Sequence, residues 1–295
     1  MNKAKLINVD LYSGIDTIEV RTDNEIEPTG AADFVPTSSR VNNQKSTYFY
    51  KLNPDKGFGA AVYNSHDYYD TRDYMFDYLN MSNPVVTRID YRFDCFDDNF
   101  NDLLKLNKLL IMLIAEQYKV NNHYESRDFM TLQELTVRIQ NDRIEVENYN
   151  KAIEEPGGDV RNRLEFRSKK LYDSTAENNK EEREFRKWCN RLDKSVTADN
   201  FNCLQKKLTD ILANEYEKVR TEGVSTSQFL YKFESSIFTS RQLREFYSQL
   251  GYKDPAQCAK RYKQRRRIEY FSLKNIRDYV DKIKESGAVF FGSGK

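Results

Sequence analysis

The chain has 295 residues, with 47 Lys and Arg against 46 Asp and Glu, which suggests two domains or one large one. Hydrophobic residues at 39% beside 32% charged exclude a disordered chain. Four cysteines with no C-x-x-C pair read as free thiols in a reducing compartment, and the two distant histidines, His66 and His123, exclude the usual His-based metal spacings. The longest apolar run, Leu109 to Ala115, is too short to span a bilayer, and no secretory signal is apparent. A soluble cytoplasmic protein with no membrane partner is the expectation.

Leu6 to Arg21 alternates apolar residues, with Tyr12-Ser13-Gly14 as a bend between strand segments. Tyr48–Leu52 and Phe58–Tyr63 read as short strands, Tyr69–Met81 as an aromatic-rich helix and Val85–Phe93 as a strand. Phe100–Tyr118 is a helix with a broad Leu/Ile face. Strands follow near Leu135–Ile139, Arg143–Tyr149 and Arg163–Arg167, and two charged amphipathic helices fill residues 177–220. The pattern predicts an α+β fold: a largely antiparallel sheet with helices packed on one face.

Charge divides the chain. Residues 225–295 carry 15 Lys and Arg against 7 Asp and Glu, a net +8, which leaves residues 1–224 at a net −7. Thr221 to Ser227 has the Gly/Ser/Thr composition of a linker. A body over residues 1–222 is therefore expected, its residues 175–222 a charged helical extension, followed by an all-α module over 225–295. In that module Thr239 and Gln242 form a capping-box signature, Leu243, Phe246, Tyr247 and Leu250 recur at helical spacing, and Gly251 stops the helix. Asp254-Pro255 supplies an N-cap and a first-turn proline. The next helix is expected to turn Ala256, Ala259 and Tyr262 inward, and Lys260, Arg261, Lys263, Arg265, Arg266 and Arg267 mostly outward. Arg267–Phe271 could form a short wing, and Ser272 caps a third helix with Ile276, Tyr279, Val280 and Ile283 inward. This helix-turn-helix or winged-helix-like arrangement would place the second, basic helix in the major groove of DNA; the alternative is a solvated basic face on a three-helix bundle.

Three strands of the body carry charge in register. Side chains alternate across a strand. One face of Arg88–Asp94 therefore holds Arg88, Asp90, Arg92 and Asp94, one face of Glu145–Lys151 holds Glu145, Glu147, Tyr149 and Lys151, and one face of Arg163–Arg167 holds Arg163, Glu165 and Arg167. If the strands are neighbours, the bland reading is a half-solvated sheet bearing cross-strand ion pairs. The functional reading is an oxygen-ligand site suited to Mg²⁺ or Mn²⁺ beside a tyrosine nucleophile.

Arg88-Ile89-Asp90 with Asp94, then Glu147-Asn148-Tyr149-Asn150-Lys151, then Arg163-Leu164-Glu165-Phe166-Arg167 resemble, in order and spacing, the motifs of the trans-acting Rep class of plasmid and phage rolling-circle replication initiators. Relaxases of integrative elements share that domain, and the resemblance covers roughly residues 1–175. Where family members often carry G-S-R before the tyrosine strand, this chain has Leu135 to Asn141, with Arg138 in the arginine's place. The resemblance implies a DNA nickase and strand transferase. Tyr149 would attack a phosphodiester to give a 5′-phosphotyrosyl link and a 3′-hydroxyl primer. Asp90 and Glu165, with Glu147 as a third candidate, would hold Mg²⁺ or Mn²⁺, and Lys151 and Arg88 would neutralise the scissile phosphate. Origin duplex and nicked single strand are the DNA partners it implies, with a host helicase and a homodimer as further candidates. A conjugative or mobilisation relaxase with the same chemistry is one alternative, and a non-catalytic DNA-binding regulator is the other.

Overall fold

A computed structural model describes residues 9–26, 35–42, 45–54, 62–96, 100–118, 121–122, 137–149, 151, 162–171, 179–232, 239–266 and 272–292. Among them, eight strands form one sheet: β1 (Tyr12–Thr22), β2 (Val35–Asn42), β3 (Lys45–Leu52), β4 (Val85–Cys95), β5 (Asn121–Asn122), β6 (Val137–Gln140), β7 (Ile144–Tyr149) and β8 (Asn162–Ser168). Their order is β2-β3-β1-β4-β8-β7-β6-β5, and every pairing is antiparallel. The helices are α1 (Ser65–Tyr78), α2 (Phe100–Tyr118), α3 (Lys180–Ser195), α4 (Ala198–Val219), α5 (Thr226–Lys232), α6 (Ser240–Gln249), α7 (Pro255–Arg266) and α8 (Leu273–Phe290). The α+β class and the antiparallel sheet are as the alternation predicts.

Several local expectations change. β1 runs unbroken through Tyr12-Ser13-Gly14 and is irregular at Asp16 instead, between Ile15 and Thr17. Helix α1 begins at Ser65 rather than Tyr69, because the Asn64 side chain accepts from the backbone N–H groups of His66 (2.9 Å) and Asp67 (3.1 Å). β2 has no counterpart among the expected strands. Of the expected strand Phe58–Tyr63, residues 58–61 lie outside the described residues, and Val62 and Tyr63 are not in a strand.

One face of the sheet is apolar and covered by helices. Ile15, Ile18, Ile89, Tyr91, Phe93, Val146, Leu164 and Phe166 are buried there. Phe166 stacks on Trp188 of α3 with centroids 4.9 Å apart, Phe93 and Phe185 extend that aromatic layer, and the Trp188 indole N–H donates to Ser168 Oγ at 2.9 Å. Polar side chains in this layer bond to one another, although the Asn148 and Asn162 amide nitrogens have no partner among the described residues. Asn107 of α2 donates to the Asn148 (2.6 Å) and Asn162 (3.0 Å) side-chain carbonyls, and the Tyr279 hydroxyl of α8 donates to Asn107 Oδ1 at 2.6 Å.

Contacts cross the division expected at residue 225. Helix α8 packs against β1 and α3: Ser13 Oγ donates to Ser286 O (2.7 Å), Ser286 Oγ donates to Leu11 O (2.9 Å), and Lys282 reaches Val9 O (3.1 Å). Gly287 lies so close to Phe185 that a Cβ there would sit 2.0 Å from the ring. The third helix of the expected C-terminal module thus packs against the sheet, with Ile276, Tyr279, Val280 and Ile283 buried. No helix among the described residues is long and apolar enough to cross a membrane.

Candidate functional site

The opposite face of the sheet carries the charged rows. Gln140, Glu145, Arg167 and Asp90 align across β6, β7, β8 and β4, followed by Arg138, Glu147, Glu165 and Arg92. The next row is Tyr149, Arg163, Asp94 and Tyr12 across β7, β8, β4 and β1. Instead of the half-solvated surface that alternation alone suggests, Asp90, Asp94, Glu145, Arg163 and Glu165 are all buried. Charges so placed must be paired, because a lone buried ion costs several kcal/mol, and every one of these has a partner.

Three arginines organise the pairing. Arg88 grips Asp90 through two bonds of 2.7 Å each. Arg163 grips Asp94 through its Nε (2.6 Å) and a terminal nitrogen (2.9 Å), and its other terminal nitrogen reaches Asp16 at 2.6 Å. Asp16 can do this because the bulge in β1 turns it onto the charged face. Arg167 stands at the centre: its guanidinium bonds to Glu165 and Glu145, touches Glu147 at 2.7 Å and lies 3.4 Å from Asp90. Lys169 (2.7 Å) and Arg138 (2.8 Å) complete the surroundings of Glu145. Gly14 faces Arg92 across the strands, and a Cβ there would meet the Arg92 guanidinium at 2.8 Å, so the missing side chain makes room for that cation.

Tyr149 ends β7, 7% exposed, and its hydroxyl donates to Glu165 Oε1 at 2.5 Å. Burial, reinforced by the Glu165 carboxylate, pushes the Tyr149 pKa well above the ordinary tyrosine value. The neighbouring Asn148 is held from beneath by Asn107, which fixes the strand end that carries Tyr149. Lys151 Nζ lies 5.8 Å from the Tyr149 ring centroid. Burial raises Asp90 to about 6 in spite of Arg88, and it also raises Glu147. Glu145 is buried too, but Lys169 and Arg167 hold it down at about 2.

Of the sequence-predicted catalytic and metal residues, Arg88, Asp90, Glu147, Tyr149 and Glu165 thus share one face, with Lys151 beside the Tyr149 ring. Glu165 bridges Tyr149 and Arg167, and Asp90, Glu147 and Glu165 surround the Arg167 guanidinium. Their all-oxygen chemistry suits a hard divalent cation. Among the described residues, no three acidic, His or Cys side chains enclose a cation-sized position; Arg167 lies between the carboxylates. Sequence reasoning left out Asp16, although the adjacent polar pair in Ile15-Asp16-Thr17-Ile18 breaks the two-residue period and so signals the bulge. It also gave Arg163 and Arg167 no role.

The basic helix is built largely as read. The capping box of Thr239 and Gln242 is formed, Gly251 takes a left-handed φ of 75° to end α6, and Asp254 Oδ1 accepts from Gln257 N at 2.9 Å to start α7. Helix α6 rests on α4 and α5, with Phe246 stacked on Phe229. Lys260, Arg261 and Arg265 are exposed on α7. Two inward and outward assignments reverse. Ala256 is exposed, and Lys263 is buried, its Nζ donating to Ser240 Oγ at 2.8 Å, because the turn of helix that buries Ala259 and Tyr262 carries Lys263 in beside them. Arg266 is the last residue of α7, and Arg267 with the expected wing lies outside the described residues.

No protein-family model and no curated protein matches the chain. Among solved structures it is similar to that of a rolling circle replication initiator protein from Geobacillus stearothermophilus, with 14% identity over 56% of this chain and 76% of that one, and a TM-score of 0.27. At that identity and TM-score the likeness bears on neither chemistry nor partners.

Proposed function

We propose that the chain is a DNA strand transferase that nicks one strand through Tyr149 and initiates rolling-circle replication. The observation that carries this reading is the Tyr149 hydroxyl bonded to Glu165 Oε1 at 2.5 Å, on a sheet face lined with arginines. A phenol with so high a pKa needs a base at the moment of attack, and Glu165 is in place to take its proton. The Tyr149 oxygen bonds to phosphorus, the bond from phosphorus to the 3′ oxygen breaks, and that oxygen leaves as a hydroxyl on taking up a proton. The strand is left joined to Tyr149 through its 5′ phosphate. Lys151 beside the Tyr149 ring would balance the charge that develops on the phosphate, and Arg163, in the same row but clasped by Asp94 and Asp16, would add to it once that clasp opens. Arg88 holds Asp90 in position. Once Arg167 moves out from between them, Asp90, Glu147 and Glu165 would hold Mg²⁺ or Mn²⁺, which would polarise the scissile phosphate. Lys260, Arg261, Arg265 and Arg266 of α7 would grip duplex DNA beside the nick, with a host helicase and a second copy of the chain as further partners.

The test is incubation with supercoiled DNA of the replicon that encodes the chain, with Mg²⁺ or Mn²⁺. A nick and a covalent protein–DNA adduct are expected from the wild-type chain and neither from Tyr149→Phe, which keeps the ring and removes the hydroxyl. Persistent adduct in the variant would sink the assignment. Specific binding without any nick would favour the DNA-binding regulator.

A further inference from the structure

The third charged row does not end at Asp94. Its next member, Tyr12 of β1, pairs directly with Asp94 and therefore stands on the same face as Tyr149 and Arg163. Tyr12 is 59% exposed, and beside it Phe96, 44% exposed, meets its ring edge-on with centroids 5.0 Å apart. Elsewhere on the sheet the aromatic rings of β4 and β8 are buried under helices. This pair is left in solvent, at the end of a row that begins with the nucleophile.

We propose that Tyr12 and Phe96 form a stacking platform for an unpaired base of single-stranded DNA, a few nucleotides from the scissile phosphate. This deepens the nicking reading above and rests on it. Tyr149 and Tyr12 are separated by three strand spacings, about 14 Å at roughly 4.8 Å each, so one strand lying along the row can reach both. The groups between them are Arg163 and Asp94, bound to each other, with Arg92 beside them. The path ends on two exposed aromatic faces, and stacking on such faces holds single strands without sequence readout, since every base has a face to stack. A double helix keeps its bases stacked on each other and has none to offer, so the platform selects unwound DNA.

The test uses the full chain with two fluorescein-labelled probes: oligo(dT), and a deoxyribose-phosphate chain of the same length without bases. The wild-type chain is expected to bind oligo(dT) more tightly than the abasic chain. Tyr12→Ala with Phe96→Ala is expected to weaken oligo(dT) binding by about 5- to 150-fold and to leave abasic binding unchanged, while Tyr12→Trp restores the preference. Both residues are exposed, so the fold tolerates the changes; unaltered melting confirms it. Equal binding of both probes by the wild-type chain, or a preference that survives the double substitution, overturns the platform. The nicking reading fails separately: absence of adduct from the wild-type chain on its replicon DNA overturns it, whatever the probes report.

Discussion

The arginines of the sheet and the cations of α7 are the same residue types in opposite physical situations. Arg163 and Arg167 are each clasped by several carboxylates, in a layer where Asp90, Asp94, Glu145 and Glu165 are buried. Lys260, Arg261 and Arg265 stand exposed on α7, with no carboxylate partner among the described residues. The first set is neutralised within the chain and serves to hold a site together; its charge reaches a ligand only when the network rearranges. The second set has its charge available to an anion at once. Counting basic residues cannot tell the two apart, because the difference lies in what the fold places beside each cation.

Breaking the central clasp should have the largest effect. Arg167→Met leaves Glu145, Glu147, Glu165 and Asp90 around an uncompensated centre, and removal of one partner from a buried ion network costs about 3–5 kcal/mol. Arg261→Met on α7 should stay within about 0.5 kcal/mol. Thermal melting of the two variants compares the regions directly, and equal losses would erase the distinction. Mn²⁺ sharpens the same measurement. If the carboxylates can hold a divalent ion, Mn²⁺ should recover part of the lost melting temperature in Arg167→Met; no recovery would count against their role as metal ligands.

The next effect concerns the boundary between the regions. Gly287→Ala drives a methyl group into Phe185 and should destabilise the body by about 1–3 kcal/mol. If α8 instead belonged to a separate DNA-binding module, melting of the sheet would not respond. Smaller again is the effect of Lys260→Ala with Arg261→Ala. Duplex affinity should fall, and the slope of log affinity against log salt should drop by roughly 0.9 for each phosphate that the chain no longer neutralises. Melting and the nicking of single strands should not change. A salt slope equal to that of the wild-type chain would remove α7 from the duplex interface.

Much of this was legible in the sequence, for identifiable reasons. The period-2 alternation in β4, β7 and β8 is enough to place Asp90, Tyr149 and Glu165 on one face, because a strand allows only two faces. The caps at Thr239, Asp254 and Ser272 locate three helix starts through short-range hydrogen bonds that depend only on neighbours in sequence. What escaped was set by distant neighbours. Burial of the charged face, Asp16 on Arg163 and four carboxylates around Arg167 follow from strand order, which the alternation of a single strand does not specify. The attachment of α8 to β1 likewise joins residues some 270 positions apart. The linker-like composition at 221–227 falls at a turn between helices, and α8, further along the chain, buries its apolar face on the sheet.

Lys263 crosses the line between the two regions and supplies the smallest and most specific effect. It belongs to the basic cluster of α7, yet burial depresses its pKa to about 8 from the ordinary 10.5. Between those two values the unfolded chain binds the proton and the folded chain does not, so stability rises with pH across that window. Below pH 8 the penalty for burying the ammonium group is fully present. Lys263→Met removes that penalty, along with the bond to Ser240 that partly offsets it. A gain of about 1 kcal/mol is expected at pH 7, shrinking as the pH approaches 10.5. Duplex affinity should hold steady in this variant, because the side chain it removes does not reach the surface that Lys260 and Arg261 form. A loss of duplex affinity as large as that of Lys260→Ala would place Lys263 with the exposed cations, and burial would then no longer separate the cations that hold the fold from those that face DNA.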